Sequence, residues 1–135
     1  MKQFLPLKEN IMLNLDKNKK YLLGCSFGTD SMVLFDLLLK EGYDFSVAHI
    51  NYKLREESDF EEQELTKICA ENNIKIYVHK VDEFFNEKNL EEQCRIIRYT
   101  FFKSIYDLHS FDALLVAHQQ DDLIETFLLK KQRKS

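Results

Sequence analysis

The sequence predicts an α/β fold, a parallel sheet with helices on both faces. Two observations carry that expectation. Short apolar runs alternate four times with segments of helical period, the pattern of strands joined by crossover helices. Three polar clusters also fall just after apolar runs, where parallel sheets place their ligands. The chain has 135 residues, 44% hydrophobic and 31% charged, with three Gly and one Pro. That is enough for one domain with one core, and it leaves no room for a flexible linker.

Taken in order, residues 21–26 (YLLGCS) form a short apolar run that ends in a Gly-containing turn and reads as a buried strand. Residues 30–40 follow as a helix, apolar at Met32, Val33, Phe35, Leu37 and Leu39, with Gly42 at its stop. Residues 45–50 (FSVAHI) read as a second strand. Ser58 and Glu61 have capping-box spacing and open a helix through Leu65, Ile68 and Cys69. Residues 74–79 (IKIYVH) alternate with period two, a third strand. Asn89 can cap a long helix whose stripe runs through Leu90, Cys94, Ile97, Phe101, Ile105 and Leu108. Residues 113–117 (ALLVA) make a fourth strand, and a last helix is expected from about Gln120 to Leu128.

Composition excludes several function classes. The formal net charge of −4 argues against a strongly basic nucleic-acid coat protein, though not against a local basic patch. No apolar stretch approaches the roughly 20 residues of a membrane helix, and the N-terminal residues lack the apolar core of a secretory signal. Cys25, Cys69 and Cys94 are odd in number, widely spaced and contain no CxxC pair. Disulfides and zinc are disfavoured, and a cytoplasmic location is expected.

The first polar cluster is Ser26, Phe27, Gly28, Thr29, Asp30 and Ser31, between a strand and a helix. Small hydroxyl residues and a Gly let backbone N–H groups close around a phosphate at the positive end of a helix dipole. Asp30 would not attract phosphate itself, and points instead to a bridging Mg²⁺. The same residues read equally well as a polar loop with Asp30 and Ser31 capping a helix. The spacing is not of Walker type, since no Lys follows the Gly.

His118, Asp121, Asp122 and Glu125 form another cluster. On a helix Asp122 and Glu125 would share a face and could hold a cationic substrate or take its proton. Complementing a helix dipole explains Asp121 and Asp122 well, and His118 and Glu125 less well. Residues 49–55 (HINYKLR) could supply donors at the second strand's end. Arg95 reads best as solvated charge on an amphipathic helix, with Arg98 one step off the apolar stripe. His79 and His109 read as structural or exposed. Lys130, Lys131, Arg133 and Lys134 form a basic end, consistent with RNA contact and with a plain terminus alike.

Together these segments resemble a known family. S-F-G-T-D-S resembles the SGGxDS pyrophosphate loop of the PP-loop (N-type) ATP pyrophosphatases. A-H-I-N-Y-K-L-R resembles the HxxHxxR segment of one branch, N-L-E-E-Q-C-R-I-I-R-Y-T-F-F its Arg-x-x-Arg-Tyr helix, and A-H-Q-Q-D-D-L-I-E-T its His-x-x-x-Asp-x-x-Glu-Thr segment. Their order and spacing are similar to the tRNA(Ile)-lysidine synthase branch, across about residues 20–129. Phe27 stands where that family usually has Gly, and Tyr52 where it often has a second His.

The resemblance implies a Rossmann-like adenine nucleotide alpha hydrolase fold. It implies ATP-dependent ligation of free L-lysine to C2 of the first anticodon cytidine of isoleucine tRNA with a CAU anticodon, through an adenylated tRNA. By position, Ser26, Gly28, Thr29 and Ser31, with Phe27 inside the loop, would hold phosphates, and Asp30 would hold Mg²⁺ or the reacting centre. The backbone near Ala48 and His49 would hold adenine. Arg98 and His118 would lie at the α-phosphate, and Asp122 and Glu125 at the lysine. The family continues beyond the Glu-Thr segment, so residues 1–135 are expected to be the N-terminal part of a PP-loop nucleotide-binding domain, apparently truncated. The alternatives are another adenylating tRNA-modifying enzyme of thiolase type, or a nucleotide-binding module without catalysis. A sulfur-transfer enzyme would want paired Cys, which the chain lacks.

Overall fold

The computed structural model describes residues 15–82, 87–117 and 124–127. Its elements are β1 (Lys20–Gly24), α1 (Thr29–Lys40), β2 (Asp44–Asn51), α2 (Ser58–Glu71), β3 (Ile76–Lys80), α3 (Leu90–Leu108), β4 (Ala113–Ala117) and β5 (Ile124–Phe127), with a 3-10 turn at Glu87–Asn89 before α3. The sheet order is β3-β2-β1-β4-β5. The first four strands are parallel, and β5 lies antiparallel on β4.

The sheet alternates as a doubly covered sheet must. Tyr21, Leu23 and Cys25 of the first strand and its exit join Phe45, Val47 and Leu115 in one core, closed by Leu34, Phe35 and Leu38 of α1 and Leu65 and Cys69 of α2. Leu22, Ala48, Ile50 and Leu114 face the other way, onto Phe102 and Tyr106 of α3. Helices therefore lie on both faces, as expected of a parallel sheet. Among the described residues no helix is long and apolar enough to cross a membrane.

The three α-helices among the described residues end in the same device. Gly42, Asn73 and Ser110 adopt left-handed φ values of 78°, 59° and 58°. The following residue then donates back into the last turn: Tyr43 to Leu38 at 3.0 Å, Ile74 to Cys69 at 2.8 Å and Phe111 to Tyr106 at 3.1 Å. These are Schellman ends, and each returns the chain straight into the next strand. Ile74 is used in this way, so β3 starts at Ile76, two residues later than alternation alone suggests.

Four expectations are corrected. The last helix is not formed over Ile124–Phe127, which is a strand paired with β4 in the register Val116 to Glu125. A β-branched and aromatic sequence completes the ladder beside β4, where a helix would leave that edge unpaired. The remainder of that expected helix lies outside the described residues. The capping box does not form: Glu57 precedes the first turn of α2 without a side-chain cap bond, and the Ser58 hydroxyl accepts from the Arg55 N–H at 3.3 Å. Asn89 precedes α3 likewise without a side-chain cap bond. The apolar stripe of α3 has the right period but is turned about its axis: Phe102 and Tyr106 are buried, while Leu108 is 74% exposed.

Gly24 explains that rotation. A Cβ built there would lie 2.6 Å from the Phe102 ring, far inside contact distance. The missing side chain lets the ring sit directly on the strand that bears the first polar loop. Gly24→Ala is expected to lower stability by about 1–3 kcal/mol through overpacking, read as a fall in the urea midpoint. Adding Phe102→Leu should recover part of that loss, because the two changes share one contact.

Candidate active site

The site begins where β1 leaves the sheet. The Cys25 N–H still donates to the Ala48 carbonyl at 2.9 Å. Beyond it the loop is tied by hydroxyls. Ser26 Oγ lies 3.1 Å from Ser31 Oγ, the Ser26 N–H donates to Ser31 Oγ at 3.3 Å, and the Gly28 N–H donates to Ser26 Oγ at 3.2 Å. The first α1 bond runs from the Met32 N–H to the Gly28 carbonyl. The N–H groups of Thr29, Asp30 and Ser31 thus lie in the first turn, where no helical carbonyl precedes them, and such a turn attracts anions. Gly28 is the N-cap and makes no side-chain cap bond, so Asp30 and Ser31 do not cap the helix; Asp30 lies in its first turn.

Phe27 takes the strained position of this loop, with φ at 69°. Its ring packs against the core beneath α1 and α2. Ring burial offsets the cost of a left-handed backbone, which Gly would adopt freely.

A cavity of about 630 Å³ opens beside the loop. Its walls are Gly24, Cys25, Ser26 and Ser31 from β1 and its exit, Ile50 and Tyr52 from β2 and its exit, Val116 and Ala117 from β4, and Glu91, Arg98, Tyr99 and Phe102 from α3. The fold therefore brings Ser26, Ser31 and Arg98 together. Burial pushes the Tyr52 hydroxyl up in pKa, and the neighbouring Arg98 guanidinium pulls it partly back. The same hydroxyl donates to the Cys94 carbonyl at 3.3 Å. Arg98 and Arg95 both lie over the Tyr99 ring, at 5.7 and 5.9 Å from its centroid. Arg95, Arg98 and Lys88 also line an adjoining cavity of about 820 Å³, with Glu91 and Glu92.

The polar side chains at the end of β2 and just beyond it turn mostly to the protein itself. His49 is 4% exposed, and its Nδ1 sits 2.8 Å from the Cys25 carbonyl. The imidazole supports the loop from the α1 side of the sheet, and it does not line the cavity. Asn51, 1% exposed, donates to Asp59 Oδ1 and Glu62 Oε1, each at 2.8 Å, and accepts from the Lys53 N–H. Lys53 pairs with Asp59 at 2.9 Å and Arg55 with Glu61 at 2.7 Å. The Lys53 ammonium, and then the Asn51 amide, hold the Asp59 carboxyl below its ordinary range. These cations thus bind α2, while Tyr52 faces the cavity. Tyr52 was noted from sequence only as a departure from the family pattern, and Glu91 was not singled out. Strand period would have found Tyr52, because Ile50 and Tyr52 share the face opposite His49.

His118, Asp121 and Asp122 lie outside the described residues. Glu125 is on β5 opposite Val116, so the common helical face expected of Asp122 and Glu125 is replaced at Glu125 by a strand. His79 stacks on Phe101 and His109 tilts on Tyr77, both in structural pairs. Burial raises the Cys25 thiol to about 11 and Cys69 to about 12, so both are neutral at pH 7. Among the described residues no group of three or more metal-binding side chains converges. A lone Asp30 beside an anion-attracting helix end fits a Mg²⁺ held largely by phosphate, the usual arrangement for that ion, rather than an all-protein cage.

A model of the PP-loop domain family matches residues 2–135. The chain belongs to the PP-loop domain family. Its similar relatives include the tRNA(Ile)-lysidine synthase of Mesomycoplasma hyopneumoniae, 41% identical over 92% of this chain and 41% of the relative. That of Lactococcus lactis is 44% identical over 86% of this chain and 27% of the relative, and that of Campylobacter jejuni 39% identical over 94% and 39%. The chain thus spans 27–41% of the length of these curated relatives. Among solved structures, the U34-tRNA thiolase from Methanococcus maripaludis shares the fold, with a TM-score of 0.64, 18% identity, and coverage of 83% of this chain and 43% of that one.

Within the PP-loop family reading, Phe27 is the departure that the loop geometry makes testable. Phe27→Ala should lose the ring's packing and keep the left-handed strain. Phe27→Gly should lose the same packing but shed the strain. The glycine variant is therefore expected to be the more stable of the two by about 1 kcal/mol, reversing the usual order of these residues, as read by chemical denaturation. Equal stabilities would show that the backbone at Phe27 is not under strain.

Proposed function

We propose that this chain carries the ATP-using part of a tRNA(Ile)-lysidine synthase, acting in the cytoplasm on isoleucine tRNA with a CAU anticodon and on free L-lysine. One observation carries the reading: Ser26 and Ser31 of the hydroxyl-tied loop and Arg98 of α3 line a single cavity. A triphosphate needs this pairing, with backbone donors to cradle it and a cation for charge that builds at the reacting phosphorus. The names and identities of the relatives support the choice of reaction.

The reaction balances in two steps. The cytidine C2 oxygen attacks the α-phosphorus of ATP, the bond to the β-phosphate breaks, and pyrophosphate leaves. The lysine ε-amine then attacks C2, AMP leaves with the C2 oxygen, and the amine gives up a proton. In the first step Ser26, Gly28, Thr29 and Ser31 hold phosphate oxygens, and Arg98 faces the α-phosphate with His118. Asp30 would hold Mg²⁺, which supplies neutralising charge to the phosphates. In the second, Asp122 and Glu125 bind the lysine's positive charge and help take its proton. A thiolase reading is less well supported, because sulfur transfer wants paired cysteines, whereas Cys25 and Cys69 are buried and Cys94 alone reaches a cavity.

The test is tRNA-dependent ATP–pyrophosphate exchange in the full-length protein. Arg98→Ala should slow exchange by about 100-fold or more, the scale of one lost charge-stabilising group, and Asp30→Ala should abolish it with the far-UV spectrum unchanged. Glu125→Gln should leave exchange intact and impair lysine transfer. Wild-type exchange in Arg98→Ala would remove that residue from the reacting phosphate.

A further inference from the structure

We propose that His49 is a positioning residue, whose imidazole sets the peptide plane that opens the phosphate loop. The inference rests on the nucleotide reading above and deepens it.

The Cys25 carbonyl and the Ser26 N–H belong to one planar peptide unit. Its carbonyl edge accepts from His49 Nδ1 at 2.8 Å, and its N–H edge donates to Ser31 Oγ at 3.3 Å. The plane is therefore gripped from both sides, by a strand residue and by the first turn of α1. A carbonyl oxygen can only accept, so Nδ1 is the nitrogen that carries the proton. The donor is a side chain at the point where the chain turns off the sheet, just after the Cys25 N–H makes its bond to Ala48. His49 itself is buried among the core side chains of that face and lines neither cavity. The imidazole acts through the Cys25 carbonyl.

Turning this plane would redirect the Ser26 N–H and release Ser31 Oγ, which also contacts Ser26 Oγ at 3.1 Å. Ser26 Oγ in turn accepts from the Gly28 N–H. One imidazole thus stands behind the hydroxyl ties between Ser26, Gly28 and Ser31. A buried carbonyl left without its donor would favour such a turn.

Side-chain geometry gives a sharp test. The amide nitrogen of Asn is bonded to Cγ, as Nδ1 is in His, whereas that of Gln lies one bond further out. His49→Asn, His49→Gln and His49→Leu would be compared in the full-length protein by ATP titration calorimetry with Mg²⁺, thermal melting, and amide hydrogen exchange across residues 26–31. The expected result is that His49→Gln and His49→Leu weaken ATP by about tenfold, the scale of one buried hydrogen bond, and speed exchange in the loop. His49→Asn should stay within about threefold of wild type in affinity and keep the loop protected, even where its melting temperature falls. Equal loss in all three variants, or lowered melting with affinity and loop exchange unchanged, would overturn the inference. A wild-type protein that binds no ATP would instead defeat the nucleotide reading, and loop exchange in the three variants would still decide the role of His49.

Discussion

The absence of a side chain at Gly24 is the constraint on which the rest of the site depends. β1 is paired on both sides, with β2 and with β4, so it cannot shift to make room. Phe102 sits against it at a separation that a Cβ would fill. That contact sets the depth and rotation of α3. The helix then presents Arg98 and Tyr99 at the cavity that begins at Gly24 and continues into the serine loop. A less intimate packing would displace the cation from the anion-attracting turn of α1.

Polar chemistry on the two sides of the sheet is divided in a comparable way. On the α2 side, Asn51, Asp59, Glu62, Lys53 and Lys80 satisfy one another around a buried amide. This ties the end of β2 to α2 and uses the local cations on local acids. On the α3 side the cavity keeps the helix terminus, the serine hydroxyls and Arg98. An acidic chain can still place a cation in a recess beside a helix terminus, because net charge and local charge placement are separate properties.

Much of this was legible in the sequence, for identifiable reasons. The alternation of strand and helix comes from burial on both sheet faces, and β4 was read over the very residues it occupies, Ala113–Ala117. Gly42 marked the end of α1 because only its φ announces itself by residue type; Asn73 and Ser110 make the same turn without that sign. The loop at Ser26 was visible as residue chemistry, but its internal bonds were not. Three features escaped because they are decided by tertiary contact: the facing of α3, which follows from Gly24, the bond between His49 and the Cys25 carbonyl, and the strand at β5, which follows from pairing with β4. Local spacing had favoured a helix there, and pairing along β4 outweighs that preference.

The central claim is that nucleotide enters the cavity between the serine loop and Arg98. The most direct measurement is an NMR titration of nitrogen-15-labelled protein with ATP and Mg²⁺, following backbone amides and arginine side chains. The account predicts the largest shifts at the amides of Gly28, Thr29, Asp30 and Ser31 and at the Arg98 guanidinium, with His79 on β3 and His109 just after α3 unaffected. Shifts confined to β3 and the far end of α3, or none at residues 26–31, would contradict it.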